Sequence, residues 1–243
     1  MKQKHSLVIW CIFVVLLGTP SLSTAQVELN KEAFTVEQLL GLMSHAYASC
    51  KTYRDSGVVE NVFTNTKGER IQLVPFTTVF VRPNRFRFEF NSQITPNKNY
   101  RYIVWCSGKE VQSWWDAKPG VVREDSLIMA LAKATGVSSG AAFTVPTLLM
   151  PEINLGWRLT DLIAAKRVKD AKSGKWECYR IDGKFIDTTK TMKLWIDKQS
   201  FLVRRIDSQK DFSNFILDAT TTYEPFVDED ITEKMLNFDP PGL

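Results

Sequence analysis

The clearest pattern in the chain is the alternation of apolar and polar positions between Thr77 and Phe90. Phe76, Thr78, Phe80 and Arg82 fall on one face of a strand, and Phe86, Phe88 and Phe90 on one face of the next. Arg85, Arg87 and Glu89 take the opposite face, so the pattern is that of a sheet with one apolar side and one wet side. Pro83 and Asn84 belong to the turn, because proline cannot donate to a ladder and asparagine tolerates turn conformations. Similar signals predict strands over 55–64, 71–81, 100–106, 111–115, 176–181, 192–196, 201–207 and 215–223, with a weaker one over 168–171.

Two stretches carry a helical period. Thr35 and Gln38 have capping-box spacing and open a helix predicted to run to about Tyr53, with Leu39, Leu42, Met43, Ala46, Tyr47 and Cys50 on its apolar stripe. Asp125 or Ser126 caps a second helix carrying Leu127, Ile128 and Leu131, which Gly136 is expected to end. The run that follows, with Phe143, Leu148 and Leu149, has no polar side of its own. This insertion, about residues 125–165, is therefore expected to lie over the sheet. The pattern predicts a mainly β fold: a strongly curved antiparallel sheet or incomplete barrel of about 10–11 strands, with an N-terminal helix and a helical lid. Nothing reads as an interdomain linker or repeat, so residues 26–243 are expected to form one domain.

Residues 1–25 read as a cleaved secretory signal. Lys2 and Lys4 precede an apolar core, Leu7–Leu17, and small residues lead to a cut at Ala25/Gln26. The apolar run is shorter than the roughly 20 residues a spanning helix needs. The mature protein is expected to be exported, soluble and monomeric. A chain 44% hydrophobic and 24% charged is globular, not disordered. Without Lys2 and Lys4 its basic and acidic residues nearly balance, which gives no argument for a nucleic-acid partner. Cys50, Cys106 and Cys178 lack metal-ligand spacing; one disulfide with a leftover thiol and three buried thiols both fit.

No catalytic residue, metal site or cofactor is expected. Gly136-Val137-Ser138-Ser139-Gly140 has the G-x-S-x-G form, but it follows a helix, whereas the nucleophile elbow follows a strand. His45 lies upstream of that serine, in the wrong order for a hydrolase. The acidic run Asp228-Glu229-Asp230 lacks His or Cys company and reads as a solvated loop.

Three segments together resemble the LolA-like periplasmic lipoprotein carrier superfamily. Val81-Arg82-Pro83-Asn84-Arg85-Phe86 resembles its strand-turn signature. Leu194-Trp195-Ile196-Asp197 with Leu202-Val203-Arg204-Arg205-Ile206-Asp207 is similar to its late hairpin. Leu236-Asn237-Phe238-Asp239-Pro240-Pro241-Gly242 looks like its Phe-x-x-Pro-Pro-x-Gly ending. The longer insertion and Glu177-Cys178-Tyr179-Arg180-Ile181-Asp182-Gly183 look more like the superfamily's group of predicted periplasmic proteins of unknown function.

The resemblance implies an incomplete barrel whose helical lid covers an apolar cavity for acyl chains, and a periplasmic location. It also implies that Arg82 holds the lid shut; the alternative is an arginine that snorkels to solvent. The candidate lining is Phe76, Phe80, Phe86, Phe88, Phe90, Trp105, Trp114, Trp195, Phe215 and Leu217, and the same aromatics could instead form a filled core. The implied role is a non-enzymatic carrier of lipid or acylated lipoprotein, possibly handing its cargo to an envelope membrane protein. The alternative is an envelope sensor that binds lipid or lipoprotein and signals to a protein partner.

Overall fold

In a computed structural model, residues 34–95, 98–153, 156, 158–185 and 190–241 are described. The expected signal segment, with Cys11, lies outside them. Helix α1 (Val36–Ser49) starts at the capping box: the Gln38 N–H donates to Thr35 Oγ1, and the Thr35 N–H donates to Gln38 Oε1. Leu39, Leu40, Met43 and Tyr47 form its buried stripe. The helix ends earlier than expected: Cys50 is already extended, and Tyr53 belongs to the first strand.

Strands β1 (Thr52–Asn65), β2 (Gly68–Val81), β3 (Arg85–Thr95), β4 (Lys98–Ser107), β5 (Val111–Trp115) and β6 (Lys118–Glu124) follow as a meander. The helical insertion comes next, as α2 (Leu127–Val137), α3 (Ala141–Thr144) and α4 (Pro146–Leu149), then a 3-10 turn at Leu159–Asp161. The chain returns to the sheet with β7 (Ile163–Ser173), β8 (Trp176–Lys184), β9 (Thr191–Asp197), β10 (Val203–Phe212) and β11 (Phe215–Tyr223). A short β12 (Phe226–Val227) and α5 (Glu233–Leu236) close it.

All twelve strands form one antiparallel sheet in the order β6-β5-β4-β3-β2-β1-β11-β10-β9-β8-β7, with β12 paired to β1. The sheet is not closed: β6 and β7 are its two edges. This is the mainly β architecture, an open antiparallel sheet with a helical insertion, that the alternation predicts. Two strands beyond the expected set, β6 and β12, make the sheet larger. β7 extends well past the weak signal at 168–171, and it takes Ile163 to Ala165 out of the expected lid. β7 is an edge strand rich in lysine with two register shifts, features that blunt an edge and hide its period.

Strand β1 is the hub. It pairs with β2 along its whole length, from Thr52↔Val81 to Asn65↔Gly68, and with β11 on its other side. Gly57 is needed there: a Cβ would stand 2.3 Å from the Phe76 ring and 2.4 Å from the Thr222 carbonyl oxygen. The main core lies between one face of the sheet, here the inner face, and helices α1 to α4. Helix α1 buries its stripe in the same core as the insertion. On the outer face, Phe238 of the C-terminal segment packs on Trp105 and Trp114.

Candidate functional site

The register decides which aromatics share the inner face. Phe86, Phe88 and Phe90 pair with Cys106, Val104 and Tyr102 across β3 and β4, and with Phe80, Thr78 and Phe76 across β2 and β3. Directly opposite residues of an antiparallel pair point to the same side. Phe76, Phe80, Phe86, Phe88 and Phe90 are therefore neighbours, all buried, and their rings continue through Tyr102 to Trp115.

The same parity overturns three expected lining residues. Trp105 pairs with Arg87, and Trp114 with Ile103, so both face outward beneath Phe238. Trp195 pairs with Arg180 and Arg205, whose guanidinium carbons stand 4.7 and 4.9 Å from its ring centroid, also on the outer face.

The insertion covers the phenylalanine face in two layers. In α2, capped by Ser126 Oγ, Leu131 is fully buried, while Leu127 and Ile128 are half-buried against the core. Every residue of α3 and α4 is buried, including Phe143, Leu148 and Leu149. This second layer is a plug within the core rather than an outer cover. α2 ends at Val137, one residue beyond the expected Gly136. The turn that follows uses positive φ at Ser139 and Gly140. Ser138 is fully buried, and its Oγ accepts the Ala142 N–H, a structural cap for the start of α3.

Three polar contacts tie the insertion to the sheet. The Arg82 guanidinium donates from Nη2 to the Leu149 carbonyl at 2.8 Å and to the Tyr47 carbonyl at 3.1 Å. Its Nε donates to the Cys50 carbonyl at 2.8 Å. Arg82 thus joins the sheet, the last carbonyls of α1 and the last residue of α4; α1 has no basic residue in its own last turn to do this. Asn61 Nδ2 donates to Ser139 Oγ at 2.8 Å. Lys133 on α2 donates to Glu124 Oε2 at 2.5 Å. Burial opposes ionisation of Glu124, but the hydrogen bonds from Lys133 and Ser113 outweigh it and hold its carboxyl below the usual range.

At the α1 end, beneath Arg82, the core holds several buried polar groups. Asp55 is buried, accepting from Tyr53 Oη at 2.7 Å and the Thr78 N–H at 2.8 Å. Burial pushes its carboxyl up to about 6 despite those bonds. Tyr47 Oη accepts the Val203 N–H, and burial raises the Tyr47, Tyr53 and Tyr223 hydroxyls.

At the opposite end the inner face opens into a cavity of about 530 Å³, within the range of roughly 300–1,000 Å³ typical of small-ligand sites. Phe90, Phe215 and Leu217 of the expected set line it. Phe63, Tyr100, Trp115, Phe212 and Ala219 complete its apolar wall. Gly136 and Ser139 bring the end of α2 to its edge. Arg70, Lys190 and Lys210 add positive charge, and no carboxylate lines it among the described residues. Asn61, Phe63 and Arg70 were missed by the sequence reading. Their signal was Asn61 between inward Val59 and Phe63, and the inward run Arg70-Gln72-Val74-Phe76 continuing the alternation of β2.

The remaining candidates have other settings. Cys50, Cys106 and Cys178 are buried free thiols, with Cys106 on the inner face and Cys178 paired to Asp197 on the outer. Burial raises Cys50, and takes Cys178 up to about 11. His45 is exposed on α1. In the acidic run, Asp228 accepts the Lys51 and Thr52 N–H groups, and Glu229 pairs with Arg54. Among the described residues, no helix is long and apolar enough to cross a membrane.

No family model matches the chain, and no curated protein matches it in sequence. Among solved structures it is similar to a LolA superfamily protein from Nitrosomonas europaea, at 10% identity over 85% of this chain and 99% of that one, with a TM-score of 0.32. It is similar to a DUF1329 family protein from Desulfovibrio piger, at 11% identity over 83% and 95%, TM-score 0.36. A third likeness is to the MucA/MucB complex of Pseudomonas aeruginosa, at 9% identity, TM-score 0.42; it covers 84% of this chain but 60% of that one. At this degree of likeness, the chain's own side chains must carry any functional reading.

Proposed function

We propose that this protein is an exported, periplasmic, monomeric binding protein, not an enzyme, which shelters the acyl chains of a lipid or lipoprotein on its inner sheet face. The N-terminal 25 residues act as the cleaved signal, and the rest works as one domain. The observation that carries the reading is the apolar plug, α3–α4, seated on the phenylalanine face and tied down by the Arg82–Leu149 contact, beside a cavity already open on the same face.

Acyl chains enter at the cavity and extend along Phe90 and Phe88 as the plug withdraws. Arg82 is the latch, favouring closure. The driving force is hydrocarbon burial, worth about 0.8 kcal/mol per CH₂. Cargo and plug compete for one surface, so affinity is moderated and cargo can be handed on. Native mass spectrometry of protein purified from an exported preparation tests this, with a matched denatured mass. The expected result is a non-covalent adduct of lipid or lipopeptide mass that denaturation removes. A clean mass after incubation with a lipopeptide would overturn the carrier reading.

A second reading is a sensor that binds lipid or lipoprotein and signals to an envelope protein partner. One observation favours it: Val58, Ile71, Leu73 and Ile216 are exposed on β1, β2 and β11, an apolar patch of the kind that protein contacts cover. A stable complex with an envelope protein, lost on Ile71→Asp/Leu73→Asp substitution, is its test.

A further inference from the structure

The open cavity is not uniformly apolar, and its charges are all of one sign. Arg70 and Lys210 stand at its exposed rim, while Phe90 and Ala219 are buried at its floor. Each cation rests on a ring of its own strand or hairpin: the Arg70 guanidinium carbon is 4.2 Å from the Phe63 centroid, and Lys210 Nζ is 4.7 Å from that of Phe212. Such contacts hold a cation over an aromatic face but do not neutralise it. Among the described residues, neither Arg70 nor Lys210 has a carboxylate partner. By contrast, Arg204 is paired with Asp197 and Arg87 with Glu89.

We propose that this cavity is a subsite for the anionic head of an amphiphile: the acyl chain lies on the apolar floor, and a phosphate or carboxylate sits between Arg70 and Lys210 at the rim. The inference rests on the carrier reading and names the chemical class of its cargo. Lys190, lining the same cavity, adds to the positive field. Its ammonium is lowered by burial and then by the charge of Lys210, a cost that a bound anion would relieve. A guanidinium fork suits the planar or tetrahedral oxygens of either head group.

The test is displacement of a fluorescent acyl probe from the mature protein by hexadecyl phosphate, hexadecanol or inorganic phosphate. Hexadecyl phosphate is expected to bind roughly tenfold more tightly than hexadecanol at low ionic strength, the scale of partly exposed charge contacts, and the margin should shrink with added salt. In Arg70→Gln/Lys210→Gln the two should bind within about threefold of each other, with hexadecanol unchanged. Arg70→Lys/Lys210→Arg should keep the preference, which separates charge from fold.

Equal binding of hexadecyl phosphate and hexadecanol by the unmodified protein would overturn the subsite and leave the carrier reading standing. An unchanged preference in the double glutamine variant would overturn the assignment to these residues. Inorganic phosphate matching hexadecyl phosphate would replace the amphiphile with a free anion. Failure of both acyl compounds to bind would overturn the carrier reading, and the subsite with it.

Discussion

The two ends of the inner sheet face are built from the same alternation but finished differently. At the α1 end the ionisable groups named above have partners within the fold: Asp55 has Tyr53 and the Thr78 N–H, Tyr47 has Val203, and Arg82 has three carbonyls. At the cavity end the rim cations Arg70 and Lys210 are exposed over half-buried rings. Buried groups without partners are costly, so a self-contained structural core resembles the first end. The second end resembles a surface awaiting a charged, partly apolar molecule. The insertion bridges the two, with the Arg82–Leu149 contact at one end and the Ser139 turn at the other.

The sharpest way to break this contrast is truncation. Phe88→Ala, at the plugged centre, should cost about 3–5 kcal/mol of stability, whereas Phe215→Ala, half-exposed at the cavity, should cost about 1 kcal/mol or less. Denaturant titration of the two variants measures the gap, and equal costs would erase the distinction between core and site.

Acid sensitivity comes next. Asp55 is raised to about 6 in the fold, against an ordinary value near 3.8. The native state therefore binds more protons than the unfolded chain between those values, and stability contributed by this group falls as pH rises from about 4 to about 6. The loss is on the order of 3 kcal/mol at full ionisation. Asp55→Asn, whose Oδ1 can accept the Thr78 N–H while its Nδ2 donates to Tyr53 Oη, should flatten that limb; denaturant midpoints across the pH range read it directly.

Arg82→Leu should loosen the insertion by about 2 kcal/mol, seen as faster hydrogen exchange in Ala141–Leu149, because three carbonyls lose a charged donor. Unchanged exchange there would leave Arg82 a helix cap and nothing more. The smallest effect is expected for Lys133→Met, a slight loss of stability, since Lys133 is exposed although the Glu124 carboxylate it serves is buried. That loss should be recovered largely by adding Glu124→Gln, in a double-mutant cycle.

What could be read from the chain alone followed from local period. The β2–β3 phenylalanines, the Thr35–Gln38 cap and the apolar insertion are all encoded within a few neighbouring residues. The facing of Trp105, Trp114 and Trp195 was not, because it depends on parity carried across hairpins. Arg87 and Glu89 were read as outward, and the register makes Trp105 and Ile103 their partners. Large aromatics suggest a core, yet here a single C-terminal ring, Phe238, and flanking arginines give them cover on the outer face. β6 escaped and β7 showed only over 168–171 for a related reason: Gly120 adopts positive φ within β6, and β7 is charged and bulged. The cavity was legible only in part, since Arg70 and Gln72 look like ordinary strand polar residues until the hairpin turns them inward.

The central claim is that an acyl chain and the plug compete for the Phe76–Phe90 face. Hydrogen exchange of Ala141–Leu149, with and without a bound diacylated lipopeptide, tests it most directly. The account predicts that ligand raises exchange in this segment while the strands β1 to β4 stay protected. A lipopeptide adduct, established by native mass spectrometry, with unchanged protection of Ala141–Leu149 would contradict it.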